Sequence, residues 1–219
     1  MKFSFGQFVY EETWTGNLRV LGFAENAFTS KVHIPDFVNG KRVTHIGEHA
    51  FRNLAIVEVQ LPITLDRICE SAFENCDVLK KVSCDSLDLG IESNAFAGCI
   101  SLEQFYSMGV VELLGPNVFS FCTSMNEFQT TFINSIPKES FNGCLNLKNF
   151  VFSGITSVRS SAFMNCVLDK VLIEKDFKYC DDFLEHIKTA IIFCNSNSKF
   201  VDLAYSGYHI SIHLYGGSI

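Results

Sequence analysis

Apolar residues return along this chain at a nearly constant interval. Phe51, Phe73, Phe96, Phe119, Phe141 and Phe163 are separated by 22, 23, 23, 22 and 22 residues. Other columns fall into register around them. Five residues earlier stand Ile46, Ile68, Ile91, Leu114, Ile136 and Val158, and one residue earlier Ala50, Ala72, Ala95, Val118, Ser140 and Ala162. Three residues later come Leu54, Cys76, Cys99, Cys122, Cys144 and Cys166. A further pair of apolar columns follows: Ile56, Leu79, Leu102, Met125, Leu147 and Leu168, then Val59, Val82, Phe105, Phe128, Phe150 and Val171. Between these columns the residues are mostly polar.

The runs after the cysteine column (56–61, 79–84, 102–107, 125–130, 147–152 and 168–173) are short and carry β-branched or aromatic residues near their centres. They predict one strand per repeat. Stacked repeats would pair these strands into a parallel sheet, because no single repeat can bury its apolar face alone. The segment holding the Ala-Phe pair predicts a short 3-10 or α turn on the other side. The expected fold class is therefore an α/β solenoid, capped at both ends. Two residues after each phenylalanine stand Asn53, Asn75, Gly98, Phe121, Gly143 and Asn165. Asn and Gly enter left-handed backbone cheaply, so each helical turn is expected to end there. Phe121 breaks the pattern and predicts a local distortion.

The ends read differently. Asn39-Gly40 between two apolar-alternating runs is a hairpin signal, so residues 1–47 are expected to form an N-terminal cap of antiparallel strands. Residues 48–173 make a solenoid of about six repeats, and 174–219 a C-terminal cap. Within that cap, Phe177, Cys180, Phe183, Leu184 and Ile187 have helical spacing, and 191–194 and 208–215 read as strands.

A period in the low twenties is the length class of leucine-rich repeats. The string around Ile34, Pro35, Asn39, Gly40, Val43, Ile46, Gly47, Ala50 and Phe51, followed by repeated Ala-Phe and Cys positions, resembles the BspA-like leucine-rich-repeat family from about residue 10 to about residue 173. The resemblance implies a curved solenoid used for binding. Members are often surface proteins for adhesion or host contact, and the family also occurs in parasites and viruses.

Strand alternation then separates core from surface. With Val59, Val82, Phe105, Phe128, Phe150 and Val171 inward, their neighbours point out. These outward residues are the expected partner-binding set: Glu58, Gln60, Lys81, Ser83, Gln104, Tyr106, Glu127, Gln129, Asn149, Val151, Lys170 and Leu172. Tyr106, Val151 and Leu172 are the strongest anchors, since aromatic and apolar groups dominate interface energies.

Composition narrows the partner. The chain has 22 Phe against 1 Trp and 6 Tyr, as a single recurring aromatic position requires. The formal charge of −7 disfavours nucleic acid. The basic pairs Lys41-Arg42 and Lys80-Lys81 have Glu48, Asp77 and Asp85 nearby. No segment has the length and apolarity of a membrane span or signal peptide, which predicts a cytoplasmic protein. Five of the nine cysteines occupy one column and read as a buried ladder, with metal or catalytic use as the minor alternative. His209 and His213 would share a strand face but lack a third ligand, and His45 and His49 are expected to be solvated. Cys180 or Cys194 with His186 is the remaining catalytic alternative. No nucleotide, zinc-protease or hydrolase motif is present. Neither an enzyme, a cofactor nor a metal site is expected. The reading is a non-enzymatic protein-binding module, of the kind a viral or parasite factor could turn on a host protein; an adhesin or glycan-binding surface protein is the alternative.

Overall fold

The computed structural model describes residues 1–113, 115–152, 154–173, 178–179, 183–186, 191–195 and 211–215. The chain opens with β1 (Lys2–Phe5), β2 (Phe8–Glu12) and β3 (Leu18–Phe23), an antiparallel meander. β4 (Lys31–His33) follows, and β5 (Phe37–Val38) turns back on β6 (Lys41–Ile46) through Asn39 and Gly40. Both turn residues have positive φ, 50° and 77°, as a two-residue hairpin with native twist requires.

From there each coil contributes a front strand and a rear strand. These are β7 (Glu58–Leu61) and β8 (Arg67–Ile68), β9 (Lys81–Cys84) and β10 (Asp88–Ile91), then β11 (Gln104–Ser107) and β12 (Val110–Leu113). The next coil has β13 (Glu127–Gln129), β14 (Phe132–Ile133) and β15 (Ser135–Ile136). β16 (Asn149–Phe152), β17 (Ser157–Val158), β18 (Lys170–Ile173) and β19 (Lys178–Tyr179) complete the coils. Beyond them lie α1 (Phe183–His186), β20 (Ile191–Asn195) and β21 (Ser211–Tyr215).

Two sheets result. The front sheet runs β4-β7-β9-β11-β13 and resumes as β16-β18-β20-β21. The rear sheet runs β1-β2-β3-β6-β8-β10-β12-β14 and resumes as β15-β17-β19. Front strands stack in parallel with Val32, Val59, Val82, Phe105 and Phe128 in one register row. Alternation places Val59, Val82 and Phe105 fully inside while Gln60 and Tyr106 face out.

This overturns the expected α/β class. The molecule is a β-solenoid of about six turns with essentially no helix. Among the described residues the one helix is the four-residue α1. The return segments are turns, and the backbone explains why. Each has positive φ at two points flanking its phenylalanine: His49 and Asn53, Ser71 and Asn75, Asn94 and Gly98, Asn117 and Phe121, Glu139 and Gly143, Ser161 and Asn165. A left-handed residue every fourth position prevents any run of helical hydrogen bonds. Alternate amides serve different partners instead. The Ala50 and Arg52 amides donate to Gly47 and His49 three residues back, while those of Phe51 and Asn53 donate to Ala72 and Glu74 of the next coil at 2.8 and 2.9 Å. The segment is thus laddered to its neighbour like a sheet.

Phe121 does not distort its coil. It takes the same left-handed conformation as its column, with φ 60°. The glycine of the next coil makes room: a Cβ on Gly143 would lie 2.9 Å from the Phe121 ring. The same relation holds one pair earlier, where a Cβ on Gly98 would meet Asn75 Oδ1. Leu114 lies outside the described residues, and Leu113 takes the buried place opposite Ile91.

The core is a stack of rings. Phe51, Phe73, Phe96, Phe119, Phe141 and Phe163 succeed one another with centroids 5.2 to 5.4 Å apart and planes within 13°. A second column, Phe105, Phe128 and Phe150, meets the first edge-on. Phe8 and Phe23 close the front end edge-on against Phe51, and Phe183 tilts against Phe163 at 6.1 Å. Of the expected C-terminal helix at 176–190, only 183–186 is described as helix; Phe177, Cys180 and Ile187 lie outside the described residues.

Phe96→Ala should destabilise the chain by about 3–5 kcal/mol, as for other buried aromatic truncations, whereas Tyr106→Ala should cost well under half of that. Urea unfolding followed by circular dichroism separates the two; equal losses would contradict the inward and outward placement. Gly143→Ala should cost about 1–2 kcal/mol from left-handed strain alone. Adding Phe121→Ala to that variant should recover only the steric part, read in the same assay.

Candidate functional site

Front-sheet pairing lays the outward residues in two rows. Glu58, Lys81, Gln104 and Glu127 are in register in one, and Gln60, Ser83, Tyr106 and Gln129 in the other. Gln60, Lys81, Tyr106 and Gln129 are exposed, and Glu58, Ser83, Gln104 and Glu127 half-buried. Asn149 and Val151 are exposed on β16, while Lys170 and Leu172 lie on β18 beside them in the ladder. The twelve residues therefore lie on two laddered runs of front strands, eight on β7 to β13 and four on β16 and β18. Among the described residues β13 and β16 share no ladder, although Phe128 and Phe150 still stack at 5.8 Å across the interruption.

Among the described residues, three shallow grooves lie on this face. One of about 410 Å³ lies over Lys31, His33, Glu58, Gln60, Lys81 and Ser83. A second of about 410 Å³ shares Lys81 and Ser83 and adds Asp85, Gln104, Tyr106 and Glu127. A third of about 510 Å³ shares Tyr106 and Gln129 and is walled by Met108, Phe128, Phe132 and Val151. It sits at the interruption between β13 and β16. Shared lining makes the three a single trough crossing the strands.

The charges within it are unevenly matched. Lys31 pairs with Glu58 at 3.2 Å. Glu127 accepts hydrogen bonds from the amides of Gln104, at 2.7 Å, and Gln129, so its charge is held but not neutralised. Lys81 and Asp85 form no ion pair among the described residues. The third groove carries no charged side chain. Its rim is tied by Thr130 and Thr131, whose hydroxyls donate to the carbonyls of Gly109 and Met108 at 2.8 and 2.6 Å. Met108 and Phe132 were not foreseen as surface anchors; Met108 follows β11, and Phe132 opens the two-residue rear strand β14, too short to show alternation.

The cysteine column has a structural task. Cys76, Cys99, Cys122, Cys144 and Cys166 each donate an S–H bond, at 3.0 to 3.2 Å, to the carbonyl of the preceding coil's core phenylalanine. Burial pushes the Cys76 thiol up to about 11 and raises Cys99, Cys122 and Cys144 in the same direction. Such thiols are poor nucleophiles and poor metal ligands. His45 is half-buried rather than solvated. It shares a 2.9 Å hydrogen bond with the Thr44 hydroxyl, and desolvation, then Arg19, lower its pKa. His49 is exposed. Cys180 and His209 lie outside the described residues, while His186, Cys194 and His213 sit on α1, β20 and β21. Among the described residues no group of three or more His, Cys, Asp or Glu could hold a metal ion, and no helix is long and apolar enough to cross a membrane.

The family model for the BspA type leucine rich repeat region matches in six copies, over residues 22–132, 90–184 and 115–211. No curated protein matches the sequence. A leucine rich cell surface protein from Faecalibacterium prausnitzii is similar in structure, with TM-score 0.63 and 18% identity over 90% of this chain and 55% of that one. A leucine rich repeat protein of T. pallidum gives TM-score 0.56 and 15% identity over 95% and 97%. The pneumococcal vaccine antigen PcpA gives 0.51 and 14% over 92% and 67%. At these identities the likeness is one of fold.

The thiol ladder makes stability depend on alkali. Unfolded thiols ionise from about pH 8.5, whereas the folded Cys76 thiol resists to about 11. The stabilisation is complete below the unfolded value and is lost as pH rises through the folded one. Urea midpoints should fall between neutral pH and about pH 10.5, and Cys99→Ala should fall less steeply. An identical pH slope in the variant would refute the assignment.

Proposed function

The chain belongs to the BspA-type leucine-rich repeat family, and from that premise we propose that it is a non-enzymatic module that binds a protein partner across its front sheet. The observation that carries this reading is the trough. Coil-to-coil ion pairs occur on both faces and in the turn segments, as at Arg67–Glu92, 3.1 Å, Arg52–Glu74, 3.0 Å, and Lys31–Glu58, 3.2 Å. The front face adds grooves in series, with exposed Tyr106 shared between the one that holds Lys81 and Asp85, which lack ion partners among the described residues, and the one that holds exposed Val151. Aromatic anchors ringed by polar groups are what partner surfaces are made of. Glu58, Gln60, Lys81, Ser83, Gln104, Glu127, Gln129 and Asn149 supply that ring, with Lys170 and Leu172 extending it.

A second reading is an adhesin on a cell surface. It is favoured by the likeness to a cell-surface protein and a vaccine antigen. Free, buried cysteines favour a reducing compartment instead, and with it an intracellular interaction module, including one turned on a host protein.

A photo-crosslinking amino acid at position 106, compared with one at exposed Glu112 on the rear sheet, tests the face. In the producing cells, position 106 should give a discrete protease-sensitive adduct and position 112 none. Adducts from position 112 alone would move the site to the rear sheet. Adducts at position 106 that resist protease and yield to glycosidase would replace the protein partner by a glycan.

A further inference from the structure

We propose, resting on the front face as the binding surface, that the trough takes an extended peptide segment carrying a cationic side chain beside a large apolar one. The apolar end is set by the third groove. Its walls are Tyr106, Met108, Phe128, Phe132 and Val151; Met108 is 55% exposed and Val151 53%. An uncharged recess of about 510 Å³ lies in the size range of side-chain and small-ligand pockets. A polar occupant would lose its hydration there with few partners in return, because the Thr130 and Thr131 hydroxyls already donate to backbone carbonyls.

The cationic end is set by the adjoining groove. Tyr106 has Gln129 and Ser83 as its register neighbours; Glu127 lies two residues before the one, a coil later, and Asp85 two residues after the other, a coil earlier, with Lys81 lining the same groove so that two carboxylates outnumber one cation. The Gln104 and Gln129 amides fix the Glu127 carboxylate without cancelling its charge. A guanidinium or ammonium over the Tyr106 ring would meet the ring face and the Glu127 carboxylate, with Asp85 further along the groove offsetting the charge of Lys81. The chain's formal charge of −7 steers the same class of partner toward it. Coils repeat at about 4.8 Å, so the two subsites are about 5–10 Å apart. Extended backbone covers that in two or three residues.

Fluorescence anisotropy with labelled Gly/Ser peptides tests this on the full chain. The peptides differ only in carrying arginine-serine-phenylalanine, glutamate-serine-phenylalanine or arginine-serine-serine. The first should bind at least about tenfold tighter than the others and weaken as salt is raised. Asp85→Asn with Glu127→Gln should abolish its advantage over the glutamate peptide. Val151→Asp should abolish its advantage over the peptide lacking phenylalanine. Thermal melts confirm that these surface variants fold. Equal binding of the arginine and glutamate peptides overturns the proposal, as does no binding of any peptide at millimolar concentration. Crosslinking from position 106 is independent of that result, so a failure here would fall on the partner class and not on the face.

Discussion

The whole molecule depends on one ring lying against the next. Phe51 through Phe163 form a column with centroid spacings of 5.2 to 5.4 Å, slightly more than the 4.7–4.9 Å between paired strands. Near-parallel planes let each ring cover its neighbour while the strands keep hydrogen-bonding distance. Burial of one phenylalanine is worth about 1.5–3 kcal/mol, and a ring inside the stack is covered on both faces only because its neighbours are in place. No coil can therefore form alone. Phe8 and Phe23 meet Phe51 edge-on and Phe183 tilts against Phe163, so the rings beside the column also depend on its end members.

The backbone around the rings has to be satisfied without helix. Positive φ at the two positions flanking each phenylalanine sends alternate amides along the solenoid axis. The core carbonyls then accept twice, from the amide three residues on and from the next coil's thiol. That is why cysteine suits the column better than leucine does once a preceding coil is present. Leu54 has no preceding coil of this kind, and it alone lacks the sulfur. The thiols look like chemistry in the sequence, and their geometry and raised pKa values make them packing.

Much of this was legible because the repeat acts on single columns. The phenylalanine period gave the stack, and strand alternation located Val59, Val82 and Phe105 inside with Tyr106 outside. The rear sheet was not legible. Strands such as Arg67–Ile68 are two residues long and show one apolar position, too little for a period. Nor were the turns, because His49, Ser71 and Glu139 carry no mark of left-handed backbone, whereas Asn53 and Gly98 do. At Phe121 the reading failed for a different reason. Its tolerance is decided by Gly143, a residue one coil away, and a column read position by position does not show that pairing.

The trough belongs to this last kind of feature. Tyr106 and Val151 were visible as outward residues, but Met108 enters the same recess from the bend after β11 and Phe132 from the start of the rear strand β14. The recess sits where the ladder between β13 and β16 lapses while the rings of Phe128 and Phe150 stay stacked. On the front sheet the ring stack thus continues where the strand ladder lapses, while the rear strands β15 and β17 and the turn amides of Phe119 and Phe121 still link the same coils. A solenoid whose stability comes from its ring column can give up a few ladder hydrogen bonds, each worth about 0.5–1.5 kcal/mol net, without losing its register. The surface freed by that lapse is apolar, uncharged and flanked by Asp85 and Glu127 on one side only. An asymmetry of that kind, imposed on an otherwise regular repeat, gives the front face a direction along the solenoid axis, and a partner can read direction where it could not read a uniform ladder.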